Sequence, residues 1–301
     1  MTGICGVNVA AITPRRDGPE IDLASSYELL DFLGKSGVEG IALLGSTGEF
    51  THFSLEERAR FIRLSVKRNR VPVIAGVAHT TLDGAVFLGR EALDSGAAAL
   101  LVMPPFFFRY EQADIRQFFL SFAAQVGNSI PIVLYNIPQF GNGIAPDTAV
   151  ELLETGRFAG IKDSSGVWTS FLRLNEARAR LGFKLLVGND ALFTPARTAG
   201  ADGIISGVAS AIPELLVALD RAVTSGNAAR AHALDARLQE FINWIDRFPA
   251  PAGIREACAV RGLKTGPRAT VLDPENEIRI AAFREWFKDW LPSMLEESKH
   301  A

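Results

Sequence analysis

A lysine interrupts the apolar, strand-like run Phe158-Ala159-Gly160-Ile161-Lys162-Asp163-Ser164-Ser165-Gly166. An ammonium carried into a core without a partner is costly. One escape is loss of the proton, because desolvation lowers the pKa of an amine. A neutral amine in a dry pocket adds to ketones and forms Schiff bases. A lysine at a strand end that extends its head into water fits the same pattern, so Lys162 alone decides nothing.

Two more groups sharpen the question. Gly45-Ser46-Thr47-Gly48-Glu49 is either a tight turn capping a helix or a small nest of backbone N–H groups and two hydroxyls, suited to a carboxylate. Tyr135, in Tyr135-Asn136-Ile137-Pro138, is either a core aromatic or a general acid/base. The cluster Phe106-Phe107-Phe108 reads as packing. Taken together, a lysine, a tyrosine and a carboxylate nest are what a 2-oxo acid Schiff-base enzyme needs. The nest holds the carboxylate, the amine attacks the adjacent ketone, and the phenol moves protons as water leaves.

Such groups must be brought to one place by the elements that carry them. Short β-rich runs recur at 7–13, 40–45, 72–77, 98–103, 131–137, 158–162, 184–188 and 203–206, spaced by a strand, a helix and two loops. The runs are continuously apolar, as in a parallel sheet covered on both faces. The joints Ser36-Gly37-Val38, Ser95-Gly96-Ala97 and Ala199-Gly200-Ala201 repeat a glycine at the helix exit, where positive φ is cheap. Ser54-Leu55-Glu56-Glu57 has capping-box spacing. The pattern predicts an α/β fold, a (β/α)₈ TIM barrel over residues 1–224, with a C-terminal helical region over 225–301. An open doubly wound sheet would want a Gly-x-Gly-x-x-Gly turn, which is absent. The helical tail carries a stripe at Leu234, Leu238, Phe241, Ile242 and Ile245, followed by the break Phe248-Pro249-Ala250-Pro251. It is expected to pack on the barrel or on a neighbouring subunit. In a TIM barrel the active site lies at the carboxyl ends of the strands, which is where Ser46, Thr47, Tyr135 and Lys162 fall.

Composition narrows the function classes. The 301 residues are 48% hydrophobic and 22% charged, with a net charge of -3, as in a soluble globular protein with a large core. No basic block marks a nucleic-acid surface. The longest apolar run, Ala97 to Phe108, is short of a membrane span and contains Pro104-Pro105. Cys5 and Cys258 suggest no disulfide framework, and a cytoplasmic location is the default. His52, His79, His232 and His300 are scattered, without metal-ligand spacing, which argues against a metal-dependent aldolase.

The chain resembles the dihydrodipicolinate synthase/N-acetylneuraminate lyase superfamily of pyruvate-dependent class I aldolases over essentially its whole length. The motifs that carry the resemblance are Gly-Ser-Thr-Gly-Glu at 45–49, Tyr-Asn-Ile-Pro at 135–138 and Gly-Ile-Lys at 160–162. The resemblance implies that Lys162 forms the imine, with no other cofactor and no metal, and that Tyr135 shuttles protons. It also implies that Ser46 and Thr47 bind the pyruvate carboxylate, Thr47 joins the proton relay, and Gly188 and Ile205 line the pocket. The expected partners are small molecules, pyruvate and an aldehyde, and the expected assembly is a homotetramer.

Departures from the family pattern bear on the substrate. The position of a second relay tyrosine in dihydrodipicolinate synthase is Phe107 here, and that of its substrate-binding arginine is Phe140. Ser164, two residues after the lysine, fits the hydroxyl that contacts substrate in the aldolase branch. Ala191 after Asp190 lacks the acid a sialate enzyme would want. The expectation is therefore a class I aldolase that cleaves or forms a 2-oxo acid such as a 2-keto-3-deoxy sugar acid. The alternatives are 4-hydroxy-tetrahydrodipicolinate synthase and a non-catalytic oxo-acid-binding barrel. Phe106, Phe107, Phe140 and Trp168 raise a more apolar or aromatic aldehyde as a further possibility.

Overall fold

The computed structural model describes residues 4–299. Residues 1–3 and 300–301, the outer ends of the two expected segments, and with them His300, lie outside it. Eight parallel strands close a barrel in chain order. They are β1 (Gly6–Ala10), β2 (Gly40–Leu43), β3 (Val73–Gly76), β4 (Ala99–Val102), β5 (Ile132–Asn136), β6 (Gly160–Asp163), β7 (Lys184–Val187) and β8 (Gly203–Ser206), with β8 pairing back onto β1. The helices between and after them are α1 (Leu23–Lys35), α2 (Leu55–Arg68), α3 (Leu82–Ser95), α4 (Gln112–Val126), α5 (Pro146–Glu154), α6 (Trp168–Leu181), α7 (Phe193–Thr198) and α8 (Pro213–Thr224).

The expected TIM barrel is therefore the observed one. Every strand residue is buried except Lys184, which is half-buried, in keeping with the unbroken apolar runs. The strands are shorter than the runs that predict them. β2 stops at Leu43 because Leu44 turns to φ 57, so the apolar stretch continues into the loop after the strand has ended. The glycines at 37, 96 and 200 keep positive φ of 81°, 83° and 109°. Ser54 caps α2 through the Glu57 amide at 3.2 Å, but the Glu57 carboxylate reaches the Ile21 amide instead of closing a capping box.

Beyond the barrel lie α9 (Ala228–Ile245), α10 (Ala252–Val260) and α11 (Pro274–Lys299). α9 packs on α8, and α11 packs on α8 and α10. The seam is aromatic: Phe241, Phe283 and Phe287 are fully buried, with ring centroids 5.6 to 6.1 Å apart. Truncation of any one to alanine would cost about 3–5 kcal/mol, so these helices are fixed to the barrel wall. α10 matters most for the barrel mouth, because Arg255 reaches from it into the loops above β1 and β2.

Candidate active site

β5 and β6 pair in register with Tyr135 directly opposite Lys162. Register partners on neighbouring parallel strands present side chains to the same face, so the phenol and the amine meet. The Lys162 Nζ sits 4.3 Å from the centre of the Tyr135 ring. Both residues are buried, at 4% and 2% exposure. Among the described residues no carboxylate lies within ion-pair distance of the amine. The Tyr135 hydroxyl is 2.9 Å from the Ser46 hydroxyl, which links β5 to the loop after β2.

Ser164 and Gly188 complete the surroundings of the lysine. The Ser164 hydroxyl is buried and has no hydrogen-bond partner. A Cβ placed on Gly188 would stand 2.0 Å from the Ser164 Oγ and 2.7 Å from the Lys162 Cε. Only a residue without a side chain leaves room there for both groups. Thr47 lies against the β8 exit, since its Oγ1 would be 2.7 Å from a Cβ on Gly207. Ile205 is fully buried in β8 opposite Asn8, so it belongs to the barrel wall rather than to the polar set.

The end of β6 just after the lysine is braced through Asp163. Asn136 donates to Asp163 Oδ1 at 2.8 Å and accepts from the Ile144 amide at 2.9 Å. Ser165 donates its hydroxyl to Asp163 Oδ2 at 2.9 Å. The end of β6 is thus held by three hydrogen bonds to the Asp163 carboxylate, the third from the Ser165 amide, and has little freedom to move Lys162.

Two features escape sequence reading. Asp190, after β7, receives a short hydrogen bond from the Ser206 hydroxyl of β8. Burial pushes its carboxyl up to about 6, against the opposing pull of the Ser206 hydroxyl and of Lys162. Its one sequence signal is an acid just past the carboxyl end of a barrel strand. The second is the ion pair of Glu49 with Arg255 at 2.8 Å, both residues buried. Glu49 sits at φ 50, immediately after the Gly45–Gly48 turn. Arg255 also donates to the carbonyls of Thr13, Thr265, Gly266 and Pro267, so α10 clamps the proposed carboxylate nest. The partners are 206 positions apart, and nothing local in the sequence announces them.

A cleft of about 240 Å³ opens beside these groups, with Ser46, Thr47, Glu49, Thr51 and His52 as its polar side. Its wall comes from Phe50, Met103, Phe106, Ile137, Phe140 and Ile254. The expectation that Phe106–Phe108 is a packing cluster holds only for Phe106, whose ring meets Phe50 at 5.6 Å. Phe107 and Phe108 are 86% and 65% exposed, and Phe107 adopts φ 84. Among the described residues no group of three or more His, Cys, Asp or Glu could hold a metal ion. No described helix is long and apolar enough to cross a membrane.

Comparison with known proteins puts this geometry in context. The family model of the dihydrodipicolinate synthetase family matches residues 4–283. A 4-hydroxy-tetrahydrodipicolinate synthase from Methanothrix thermoacetophila is 33% identical over 279 residues, 91% of this chain and 94% of that protein. Among solved structures, the 4-hydroxy-tetrahydrodipicolinate synthase of Methylacidiphilum fumariolicum SolV superposes with a TM-score of 0.89 at 29% identity, covering 98% of this chain and 99% of that one. The sialic acid aldolase of Ruminococcus gnavus superposes with a TM-score of 0.86 at 25% identity, covering 97% and 99%.

Proposed function

Because this chain belongs to the dihydrodipicolinate synthetase family, whose members are Schiff-base carbon–carbon lyases, we propose that it joins pyruvate to an aldehyde, or reverses that step, through an imine on Lys162. The observation that carries the reading is a buried amine without a carboxylate partner, set on the ring of a tyrosine whose hydroxyl reaches Ser46. The product is a 4-hydroxy-2-oxo acid. The pyruvate half is common to that class, the 2-keto-3-deoxy sugar acids expected from sequence among them, and its members differ at the aldehyde carbon.

In this reading Ser46 and Thr47 hold the pyruvate carboxylate. The Lys162 Nζ adds to the C2 carbonyl, whose oxygen takes a proton to give a carbinolamine. Loss of water, with the Tyr135 hydroxyl supplying the proton through its contact with Ser46, leaves a protonated imine. Removal of a proton from C3 gives an enamine, and its C3 attacks the aldehyde carbon as the aldehyde oxygen is protonated. Water then adds at C2 and releases the 4-hydroxy-2-oxo acid and the free amine. The unpartnered Ser164 hydroxyl, buried beside the Lys162 stem, is placed to hydrogen-bond the oxygen that leaves C2. Gly188 supplies the space.

The names of the relatives favour a second reading, 4-hydroxy-tetrahydrodipicolinate synthase, in which the aldehyde is aspartate semialdehyde. Phe140 in the cleft wall weighs against it, since a phenyl ring offers an aldehyde carboxylate no hydrogen bond. Phe107 likewise cannot relay a proton. The homotetramer is part of the same proposal. An exposed phenylalanine held at positive φ, with Phe108 beside it, has the form of a side chain waiting for a subunit neighbour. Sedimentation of the purified chain checks the assembly. The function is tested by borohydride reduction with pyruvate followed by turnover with aspartate semialdehyde. An imine at Lys162 with poor use of aspartate semialdehyde supports the first reading, and efficient use supports the second.

A further inference from the structure

The cleft that would receive the aldehyde is lined mainly by apolar side chains. Its wall places Phe50, Met103, Ile137 and Ile254 in buried positions, Phe106 edge-on to Phe50, and Phe140 at the rim. Of the polar side chains that border it, Ser46 and Glu49 are engaged, Thr47 is the one assigned to the pyruvate carboxylate, and Thr51 and His52 lie exposed at its outer edge. Ser46 is joined to Tyr135, and Glu49 is held by Arg255, with His52 at 3.5 Å. Arg255, the guanidinium bonded to Glu49, spends its remaining hydrogen bonds on backbone carbonyls. Across the barrel mouth, Asp190 and Ser206 bond each other instead of presenting free groups to a chain of hydroxyls.

Two aldehyde chemistries therefore fit poorly. A polyhydroxylated aldehyde would bury hydroxyls against phenyl rings and thioether, losing water contacts with little in return. An aldehyde carrying a carboxylate would meet no lysine or arginine in the wall. An apolar ring, by contrast, gains from the contact with Phe106 and Phe140. The volume is sufficient, since a dry apolar cavity of about 150 Å³ already accepts a benzene ring, and this cleft measures about 240 Å³.

We infer that the aldehyde partner is aromatic, so that the 4-hydroxy-2-oxo acid carries an aryl group at C4. This rests on the aldolase reading above and narrows it away from sugar acids. The bond made is the same, from enamine C3 to the aldehyde carbon, and the aldehyde oxygen becomes the C4 hydroxyl by gaining a proton. Phe140 acts as a specificity-determining residue and takes no part in imine formation.

The test uses the full chain with saturating pyruvate and three aldehydes: benzaldehyde, D-glyceraldehyde and aspartate semialdehyde. Pyruvate consumption is followed, and borohydride trapping is run in parallel. The expected kcat/KM for benzaldehyde exceeds that for glyceraldehyde by on the order of ten- to a hundredfold, the worth of burying one ring. Phe140→Arg should move preference towards aspartate semialdehyde by about tenfold or more, with the yield of trapped imine unchanged. An imine at Lys162 together with equal or better use of glyceraldehyde or aspartate semialdehyde by the native chain overturns this inference and leaves the aldolase standing. So does an imine with no turnover of benzaldehyde. Absence of any imine removes both.

Discussion

Tyr135 and Lys162 are register partners on adjoining strands, and the amine rests on the face of the phenol ring at 4.3 Å. The contact is a cation–π or amine–π one, worth about 0.5–2 kcal/mol, well below what a buried carboxylate would exert. The lysine is held in place without being locked into a salt bridge, and the same ring carries the hydroxyl that would move protons.

Tyr135→Phe separates these two duties. The ring and its contact with Lys162 survive, while the link to Ser46 is lost. Turnover of pyruvate with an aldehyde should fall about 10²–10⁴-fold, with circular dichroism unchanged. A variant within a fewfold of the parent would place the proton transfer elsewhere.

Gly188→Ala tests the space beside the lysine. The new methyl would overlap the Ser164 hydroxyl at 2.0 Å and the Lys162 stem at 2.7 Å. The side chains must shift, and positioning errors near 1 Å cost about 10²-fold in rate. The expected result is a folded protein that traps pyruvate slowly. Trapping at the parental rate would show that the site relaxes freely.

Asp190 predicts a pH dependence. Burial raises its carboxyl from 3.8 to about 6, so the neutral form is favoured in the fold. The stability that form contributes is fully present below pH 3.8 and is lost as pH rises through about 6, with at most about 3 kcal/mol at stake. Asp190→Asn should therefore raise the melting temperature at pH 8 and leave it little changed at pH 4. Activity follows the opposite sense, because the ionised carboxylate, electrostatically coupled to Lys162, favours the protonated imine. The native chain should lose kcat/KM as pH falls through about 6, and Asp190→Asn should flatten that limb. An unaltered acid limb in the variant would dissociate Asp190 from catalysis.

Arg255→Met would leave the Glu49 carboxylate buried beneath the Gly45–Gly48 turn with only the His52 ring, at 3.5 Å, beside it. Breaking one side of a buried pair costs about 3–5 kcal/mol. A melting temperature lower by on the order of 10 °C is expected. Arg255→Lys keeps the charge but loses the fork that spans Glu49, Thr13 and residues 265–267. It should recover part of the stability while still raising KM for pyruvate above the parental value. A parental KM in both variants would mean that the clamp does not reach the nest.

The barrel was legible because its signals are local. Continuous apolar runs, helix-exit glycines and even spacing all lie within about 30 residues of one another, the length of one strand-helix unit. The strand ends were less so: Leu44 and Gly45 are as apolar or small as the strand they follow, and only the φ of 57 at Leu44 marks the exit. Of the site, Lys162, Tyr135 and Ser46 could be picked out because each stands at the carboxyl end of an apolar strand. The pairings Asp190–Ser206 and Glu49–Arg255 could not, because contacts between the ends of neighbouring strands or from a distant helix leave no periodic trace. Phe107 and Phe108 show the converse. Hydrophobicity suggests packing, and the loop after β4 instead holds both rings in the open.

Reductive trapping decides the central question most directly. The chain is incubated with pyruvate and borohydride, digested, and its peptides weighed. The account predicts one reduced pyruvate on the peptide containing Lys162, and none in Lys162→Ala, which should remain folded. An unmodified Lys162 peptide, or a label on another lysine such as Lys184, would contradict it.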